Sequence, residues 1–401
     1  MMQSQSIQPL THDKAMELIR EMVPAIRSRA ALTEELRCQP KETIQAFRNA
    51  GLIRALMPKR WGGAELGIQT MYETTVELAK ADPSAGWCYG LLVLHSWMLA
   101  YYSEEAQREV WGEEPDACIA SSFGGSPANQ VTRVDGGYLV EGEWGFSSGI
   151  DHSDWAMIFA HAAAGAGNGI DSQRPMMLLV PKRDFTIVPT WNTIAQRGTG
   201  SNHLRVSRAF VPEHRTIDMV AWCQKGEGPG SHLTGNVLYQ YPLYAVIPVS
   251  LASALLGASL DAYELWREGI KGKATVRNAR VADFTHQQIR VAEVSATLEA
   301  AQALFEKSLA RLAADQPIDT YERLRLRRNY GFTARLCNQA VKTMMDSSGA
   351  GSMFEANPLQ RYWRDVQASS MHITFNMDHL GEMFGKLELG LPLNQKDSQL
   401  S

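Results

Sequence analysis

The spacing of apolar residues changes twice along the 401-residue chain, and this order of periods is the strongest constraint on its fold. From residue 12 to about 115 the period is helical. Ala15, Leu18, Ile19, Met22 and Val23 recur at helical spacing, Thr11 stands at the N-cap and Asp13 suits the first turn. A second helix over Thr43–Asn49 stops at Gly51, and Leu56–Gly63 is a loop with a proline and a glycine pair. A third helix covers about Gln69–Lys80. Asp82-Pro83-Ser84 ends it and starts a fourth, Ala85–Tyr102. Ser103 caps a short fifth with acids in its first turn.

From about 116 the period shortens to two. Ala117–Ser122, Gly137–Phe146, Trp155–His161, Pro175–Pro181, Thr186–Val188 and His203–Val206 read as short strands, and Val134-Asp135-Gly136-Gly137 is a hairpin signal. These predict a compact sandwich or barrel. From about 234 the helical period returns. Leu238–Gly269 (rich in Ala, Ser and Gly), Val281–Ala314, Tyr321–Met345 and Asn357–Leu389 predict four long helices in an antiparallel bundle. The expected division is therefore 1–115 helical, 116–232 β, and 233–401 a four-helix bundle: mainly α with a central β domain.

Composition removes several classes of function. The net charge of −4, with no run of five like charges, argues against a nucleic-acid surface. Cys38, Cys88, Cys118, Cys223 and Cys337 are scattered and form no Cys-x-x-Cys pair. That predicts reduced thiols in a cytoplasmic protein, with neither a disulfide framework nor a zinc site. His152, His161, His203 and His379 have no metal-ligand spacing. Met1–Pro9 is polar and lacks a signal core, and the apolar runs Leu91–Leu94 and Tyr244–Val249 are too short to span a bilayer.

Four features carry chemistry. The Gly-rich break Ser347–Ser352 precedes Leu359–His379, in which His372 and His379, seven apart, would share a helix face. Such a histidine is either a hydrogen-bonded core residue or part of a pocket wall. His95, in the apolar run Val93–Trp97, is open to the same two readings. Trp87 is either core or ring-stacking. The basic connection Lys271–Arg280, with Arg277 and Arg280 at its end, is either a solvated loop or a phosphate-reaching tip.

Four motifs together resemble the acyl-CoA dehydrogenase fold. Tyr138–Gly149 is similar to the strand and turn that meet a flavin ring in that family, where a Trp precedes a Ser or Thr hydroxyl. Asn192–Val206 resembles its arginine-glycine turn, Gln288–Val294 its bundle-helix motif, and Leu56–Gly63 its N-terminal P-x-x-x-G-G loop. One departure matters. Many dehydrogenases carry a glutamate base shortly after an Arg-Asp pair; here Arg364-Asp365 is followed by Ser370-Met371-His372-Ile373-Thr374, a histidine beside the place of the missing carboxylate.

This departure resembles the flavin-dependent monooxygenase branch of the fold, the oxygenase components of two-component systems that hydroxylate phenols or oxidise heteroaromatics. The resemblance implies reduced FMN, or reduced FAD in some members, delivered by diffusion from an NAD(P)H-dependent flavin reductase. It also implies O2 activation as a C4a-hydroperoxide and a small phenol- or indole-like substrate. His372 would accept or share the phenol proton, and Ser147 or Ser148 would hold the N5 hydrogen, their other reading being a satisfied β-turn. His95 would be a second pocket donor. Trp87, Ser121, Ser122, Trp144, Phe146 and Gly349 would line the cofactor site, and Arg277 or Arg280 would reach its phosphate from a neighbouring subunit. A homotetramer is expected. The alternatives are an FAD flavoprotein of the acyl-CoA dehydrogenase type, which needs a base that the sequence lacks, and a non-catalytic scaffold of the same fold.

Overall fold

The computed structural model describes residues 10–126, 128–162, 174–314 and 316–394; the polar start Met1–Pro9 lies outside them. Five helices come first: α1 (His12–Leu36), α2 (Lys41–Asn49), α3 (Ile68–Ala81), α4 (Pro83–Leu99) and α5 (Glu104–Trp111). The caps stand where the sequence places them. Thr11 accepts from Lys14 N, Asp82 from Ser84 N with Pro83 in the first turn, and Ser103 from Ala106 N. α4 is buried on nearly every side, which is why its sequence shows no polar stripe. In the loop before α3, a Cβ on Gly63 would lie 2.0 Å from the Met57 carbonyl oxygen, so only glycine fits.

The strands are β1 (Ile119–Ser122), β2 (Gly124–Gly125), β3 (Gln130–Val134), β4 (Gly137–Gly145), β5 (Trp155–Ala162), β6 (Arg174–Pro181), β7 (Phe185–Val188), β8 (His203–Pro212) and β9 (Thr216–Asp218). One sheet has the order β1-β5-β6-β9, with β1 parallel to β5. The other has the order β2-β4-β8-β7, with β3 beside β4. The β3–β4 hairpin turns at Asp135-Gly136, as expected, with φ +73° at Gly136. β9 and the short helix α6 (Met219–Lys225) were not legible in the sequence, since three residues are too few to show alternation.

The first sheet is buried on both faces. Ala156, Ile158 and Leu178 fill the sandwich core with Val140, Trp144 and Leu204. Trp155, Met157, Met177 and Leu179 join the large helical core instead. The sheet is thus wedged between the sandwich and the helices, and β1 lies on α4.

The bundle comprises α7 (Leu243–Gly272), α8 (Thr285–Ala313), α9 (Thr320–Asp346), α10 (Pro358–Ser370) and α11 (Met377–Glu388). Among the described residues only α7 is long and apolar enough to cross a membrane, but 89% of its apolar window is buried inside the protein. It starts at Leu243, five residues later than expected, because Pro242 cannot continue a helix from the turn before it.

The expected single helix over Asn357–Leu389 is two helices. α10 stops at Ser370, a 3₁₀ turn covers Ile373–Phe375, and Asn376 caps α11 by accepting from Asp378 N and His379 N. His372 itself caps the 3₁₀ turn in an extended conformation. It therefore shares no helix face with His379. The signal for this break, Asn376 two residues before Asp378, was present but reads equally as a polar helix position.

Phe305 on α8 ties the N-terminal helices to the bundle. Its ring is fully buried, edge-on to Tyr72 at 5.0 Å and to Tyr330 at 5.6 Å. Phe305→Ala is expected to destabilise the protein by ~3–5 kcal/mol, measured by urea unfolding. A loss below about 1 kcal/mol would show that this junction is not a packed core.

Candidate active site

Helix α4 carries the first two candidates. His95 is 1% exposed, its Nδ1 lies 2.6 Å from the Ile119 carbonyl oxygen and its Nε2 lies 2.8 Å from Ser121 Oγ. A carbonyl only accepts, so Nδ1 carries the hydrogen and Nε2 accepts from the Ser121 hydroxyl. Burial pushes the His95 pKa down to about 4 against the opposing Ile119 hydrogen bond, so the ring is neutral at pH 7. Trp87 is also buried, and its Nε1–H donates to Ser148 Oγ at 3.2 Å.

The turn after β4 supplies the next group. Phe146 is 71% exposed and sits at φ +58°, a backbone region that a bulky side chain rarely adopts. Its ring lies edge-on to Trp191 at 6.2 Å and near His203 at 6.2 Å. Ser147 is fully buried, and its Oγ donates to the Ser121 carbonyl oxygen at 3.2 Å. Ser148 is half-buried, with its Oγ 2.7 Å from Ser201 Oγ.

His372 completes the cluster. Its ring meets Trp87 edge-on at 5.8 Å and Phe375 at 6.3 Å. Thr374 N–H donates to His372 Nδ1 at 3.2 Å, so in the neutral ring Nε2 carries the hydrogen and is a donor. The protein crowded around the ring pushes its pKa down to about 4. The residue also keeps an exposed face. The imidazole is therefore neutral at pH 7.

A turn from Gln196 to Ser201 brings Ser201 to Ser148, and α10 pins it. Gln196 N–H donates to Asp365 Oδ1 at 2.6 Å, and Gln196 Nε2 donates to Ser369 Oγ at 2.6 Å. Asp365 is fully buried. Burial, with the nearby Asp82 carboxylate, pushes its pKa up to about 7 against the Gln196 hydrogen bond and Arg364. Glu34 holds Arg361 and Arg364 on the same helix, at 2.8 and 2.7 Å.

Contacts among the described residues thus link His95, Ser121, Ser147, Ser148, Trp87 and His372, with Phe146 beside them on the β4 turn. Others stand apart. Trp144 is fully buried in the sandwich core, its Nε1–H donating to the Phe159 carbonyl oxygen at 2.8 Å, so Phe146 and not Trp144 presents an aromatic face here. Ser122 Oγ is spent on the Gly145 carbonyl oxygen at 2.5 Å.

The basic tip and the Gly-rich loop meet elsewhere. Lys273 Nζ bonds the Ser348 carbonyl oxygen beside Gly349, at a cavity of about 870 Å³ lined by Trp266, Ile270, Lys273 and Ser352. Arg277 and Arg280 lie on this tip, which Ala274 and Arg280 close as a β-bridge. None of Trp87, Ser148 or His372 lines that cavity. Glu105, Glu109 and His214 cluster beyond the reach of sequence spacing, but Arg215 already pairs with Glu109 and His214 Nε2 faces it at 3.1 Å. Sequence reasoning missed Gln196, Thr199, Ser201 and Asp365 as site residues; the turn Gln196–Ser201 and the Arg364-Asp365 pair were noticed only as motifs.

Known proteins share the sequence and the fold of this chain. Residues 8–114 match the acyl-CoA dehydrogenase N-terminal domain and residues 249–377 its C-terminal domain. The chain is 32% identical to the flavin-dependent monooxygenase oxygenase subunit HsaA of Rhodococcus jostii, over 94% of this chain and 99% of that one. It is 33% identical to the oxygenase component of an FADH(2)-dependent resorcinol hydroxylase from Rhizobium sp., over 96% and 97%. The chain belongs to the flavin-dependent monooxygenases of the acyl-CoA dehydrogenase fold. It is the oxygenase component of a two-component system, an oxidoreductase that uses reduced flavin. The solved structure of XiaF from Streptomyces sp. in complex with FADH2 and glycerol superposes with a TM-score of 0.86 at 28% identity, covering 96% of that chain and 95% of this one.

Asp365 gives this monooxygenase a pH-dependent stability. In the unfolded chain it ionises near 3.8, whereas in the folded protein it holds its proton to about 7. Its contribution therefore declines as pH rises through that window and is level above it. Asp365→Asn is expected to gain on the parent protein by more than about 1 kcal/mol between pH 4.5 and 8, measured as thermal midpoints across that range. A constant difference, or one that shrinks with pH, would contradict the assignment.

Proposed function

We propose that this oxygenase hydroxylates a small phenol- or indole-like aromatic at the recess between α4, the β4 turn and His372. The observation that carries the reading is the Ser121–His95 pair. His95 Nδ1–H is committed to Ile119, so Nε2 draws on the Ser121 hydroxyl, and Ser121 Oγ keeps lone pairs for a substrate O–H or N–H. A proton can be shared from substrate to Ser121 to His95, which enriches the aromatic ring in electrons and favours attack by an electrophilic oxygen. His372, whose Nε2 carries the ring hydrogen, serves as a donor. The proton-accepting role that the sequence suggested for His372 thus falls to Ser121 and His95.

The residues present fit a reduced flavin. Phe146 offers an exposed aromatic face, Trp87 offers an aromatic ring set edge-on to His372, and Ser148 offers a hydroxyl oxygen to the polar edge of the ring system. When bound, the flavin supplies the electrons and activates O2; the protein orients it and keeps water away. The cofactor is reduced FMN or reduced FAD from an NAD(P)H-dependent reductase. XiaF with FADH2 and the FADH(2)-dependent resorcinol hydroxylase support this class. We assign the enzyme to the cytoplasm as a homotetramer. Five unpaired cysteines support the compartment, and exposed Met353 and Phe354 next to the cavity with Trp266 and Ile270 support association there. In that assembly Lys273, Arg277 and Arg280 would reach the phosphate of a flavin in a neighbouring copy.

Ser121→Ala and His95→Ala are each expected to lower hydroxylated product per reduced flavin by roughly tenfold or more, with hydrogen peroxide rising to match and reduced-flavin affinity unchanged. A panel of phenols and indoles, read by chromatography with peroxide assay, measures this. Unchanged product yield in both variants would refute the pair's role.

His95 also sets an acid limit. Protonation fills Nε2, so product yield is expected to hold from about pH 5.5 to 8 and fall toward the His95 pKa of about 4. A fall centred near pH 7 in the pH profile of product yield would point to another group.

A further inference from the structure

A chain of hydroxyls leads from the recess into the protein. Ser148 Oγ is 2.7 Å from Ser201 Oγ, Ser201 Oγ is 2.6 Å from Thr199 Oγ1, and Thr199 Oγ1 is 2.9 Å from the Gln196 carbonyl oxygen. Thr199 and Ser201 are buried, at 1% and 4% exposure. Each hydroxyl has one hydrogen to place, and the chain has two polarities.

If Thr199 donates to the carbonyl, Ser201 donates to Thr199 and Ser148 donates to Ser201. All three hydrogens then end on protein acceptors. If the chain is reversed, the Ser148 hydrogen faces the recess without a protein acceptor. The first polarity is favoured, because a carbonyl oxygen only accepts, and at 2.9 Å the Thr199 and Gln196 oxygens repel unless the Thr199 hydrogen lies between them. The Gln196 carbonyl also receives Trp191 Nε1–H at 2.9 Å, so the choice rests on where the hydrogens go and not on the carbonyl's need. Asp365 and Ser369 hold Gln196, which fixes the end of the chain.

Trp87 Nε1–H already donates to Ser148 Oγ at 3.2 Å. Ser148 then has its hydrogen committed inward, one lone pair taken and one lone pair open. We propose that the Thr199–Ser201 chain makes Ser148 a dedicated hydrogen-bond acceptor, so that the site prefers reduced flavin, whose N5 carries a hydrogen, over oxidised flavin, whose N5 can only accept. Thr199 and Ser201 are positioning residues that act through Ser148. The inference rests on the reading that Ser148 faces the flavin.

The test measures dissociation constants of FMN, oxidised in air and reduced under anaerobic conditions, by equilibrium dialysis with the full-length protein. Thr199→Val keeps the shape but removes the acceptor for Ser201, whose hydrogen then turns to Ser148 and frees the Ser148 hydrogen for the recess. The preference for reduced over oxidised FMN is expected to fall roughly tenfold, with oxidised FMN binding more tightly in absolute terms. Ser201→Ala is expected to do the same by leaving Ser148 without its acceptor, and it stands as the second variant should Thr199→Val fail to fold. Thr199→Ser, which restores the hydroxyl, is expected to keep the parental ratio.

General loosening would weaken both forms together and leave the ratio unmoved, and that result overturns the proposal. If Ser148→Ala alters the ratio while Thr199→Val and Ser201→Ala do not, the chain has no orienting role, although Ser148 still faces the flavin. If Ser148→Ala alters neither constant, the underlying placement of the flavin is wrong, and the proposal falls with it.

Discussion

The hydrogen bond from Gln196 N–H to the buried Asp365 carboxyl joins the two halves of the site. Asp365 belongs to the bundle and Gln196 to the turn between β7 and β8. Gln196 sits at φ +48° and Gly200 at φ +54°, so this turn is a conformation the chain would leave without an anchor. Burial raises the Asp365 pKa to about 7, so the anchor carries far less charge at neutral pH than an exposed carboxylate would. A second tie runs from Gln39 Nε2–H to the Gly198 carbonyl at 2.9 Å, and a third from Ser84 Oγ to Gln196 Oε1 at 3.3 Å. The N-terminal helices, the sandwich and the bundle all meet at this one turn.

From the turn upward, each polar group has its direction set by a neighbour. A carbonyl takes the Nδ1 hydrogen of His95, and an amide occupies Nδ1 of His372. The two histidines therefore present opposite faces, one accepting through Ser121 and one donating. Both are neutral at pH 7, since crowding by the protein lowers each pKa, but His95 is sealed in the core while His372 keeps an exposed face. Such prior orientation matters for oxygen chemistry, where a misdirected hydrogen bond or a stray water diverts the reaction to peroxide.

Much of this was legible in the sequence. The change from helical to alternating period and back located the strands and the helices, because long periodic segments bury one face whatever their partners. The caps at Thr11, Asp82 and Ser103 were local chemistry and could be read directly. The break at Met371–Asn376 was not, since the same residues are tolerated inside a helix and only tertiary packing chose the turn. The candidate site was half legible. Ser148, Trp87, His95 and His372 stand on recognisable motifs, but their partners Ser201, Thr199 and Gln196 are common turn residues with no signal of their own. Trp144 shows the limit of motif reading: alternation along β4 sends it into the core and leaves the face to Phe146, two residues on, where the backbone has left the strand.

The most direct measurement is a crystal structure of the protein with reduced FMN, soaked and frozen without oxygen, together with a phenol. The ring system is expected against Phe146 with N5 hydrogen-bonded to Ser148 Oγ at about 3 Å. The phenol oxygen is expected on Ser121, with His372 opposite. A flavin ring seated instead in the cavity beside Trp266 and Lys273, or a phenol that makes no contact with Ser121, would contradict the account.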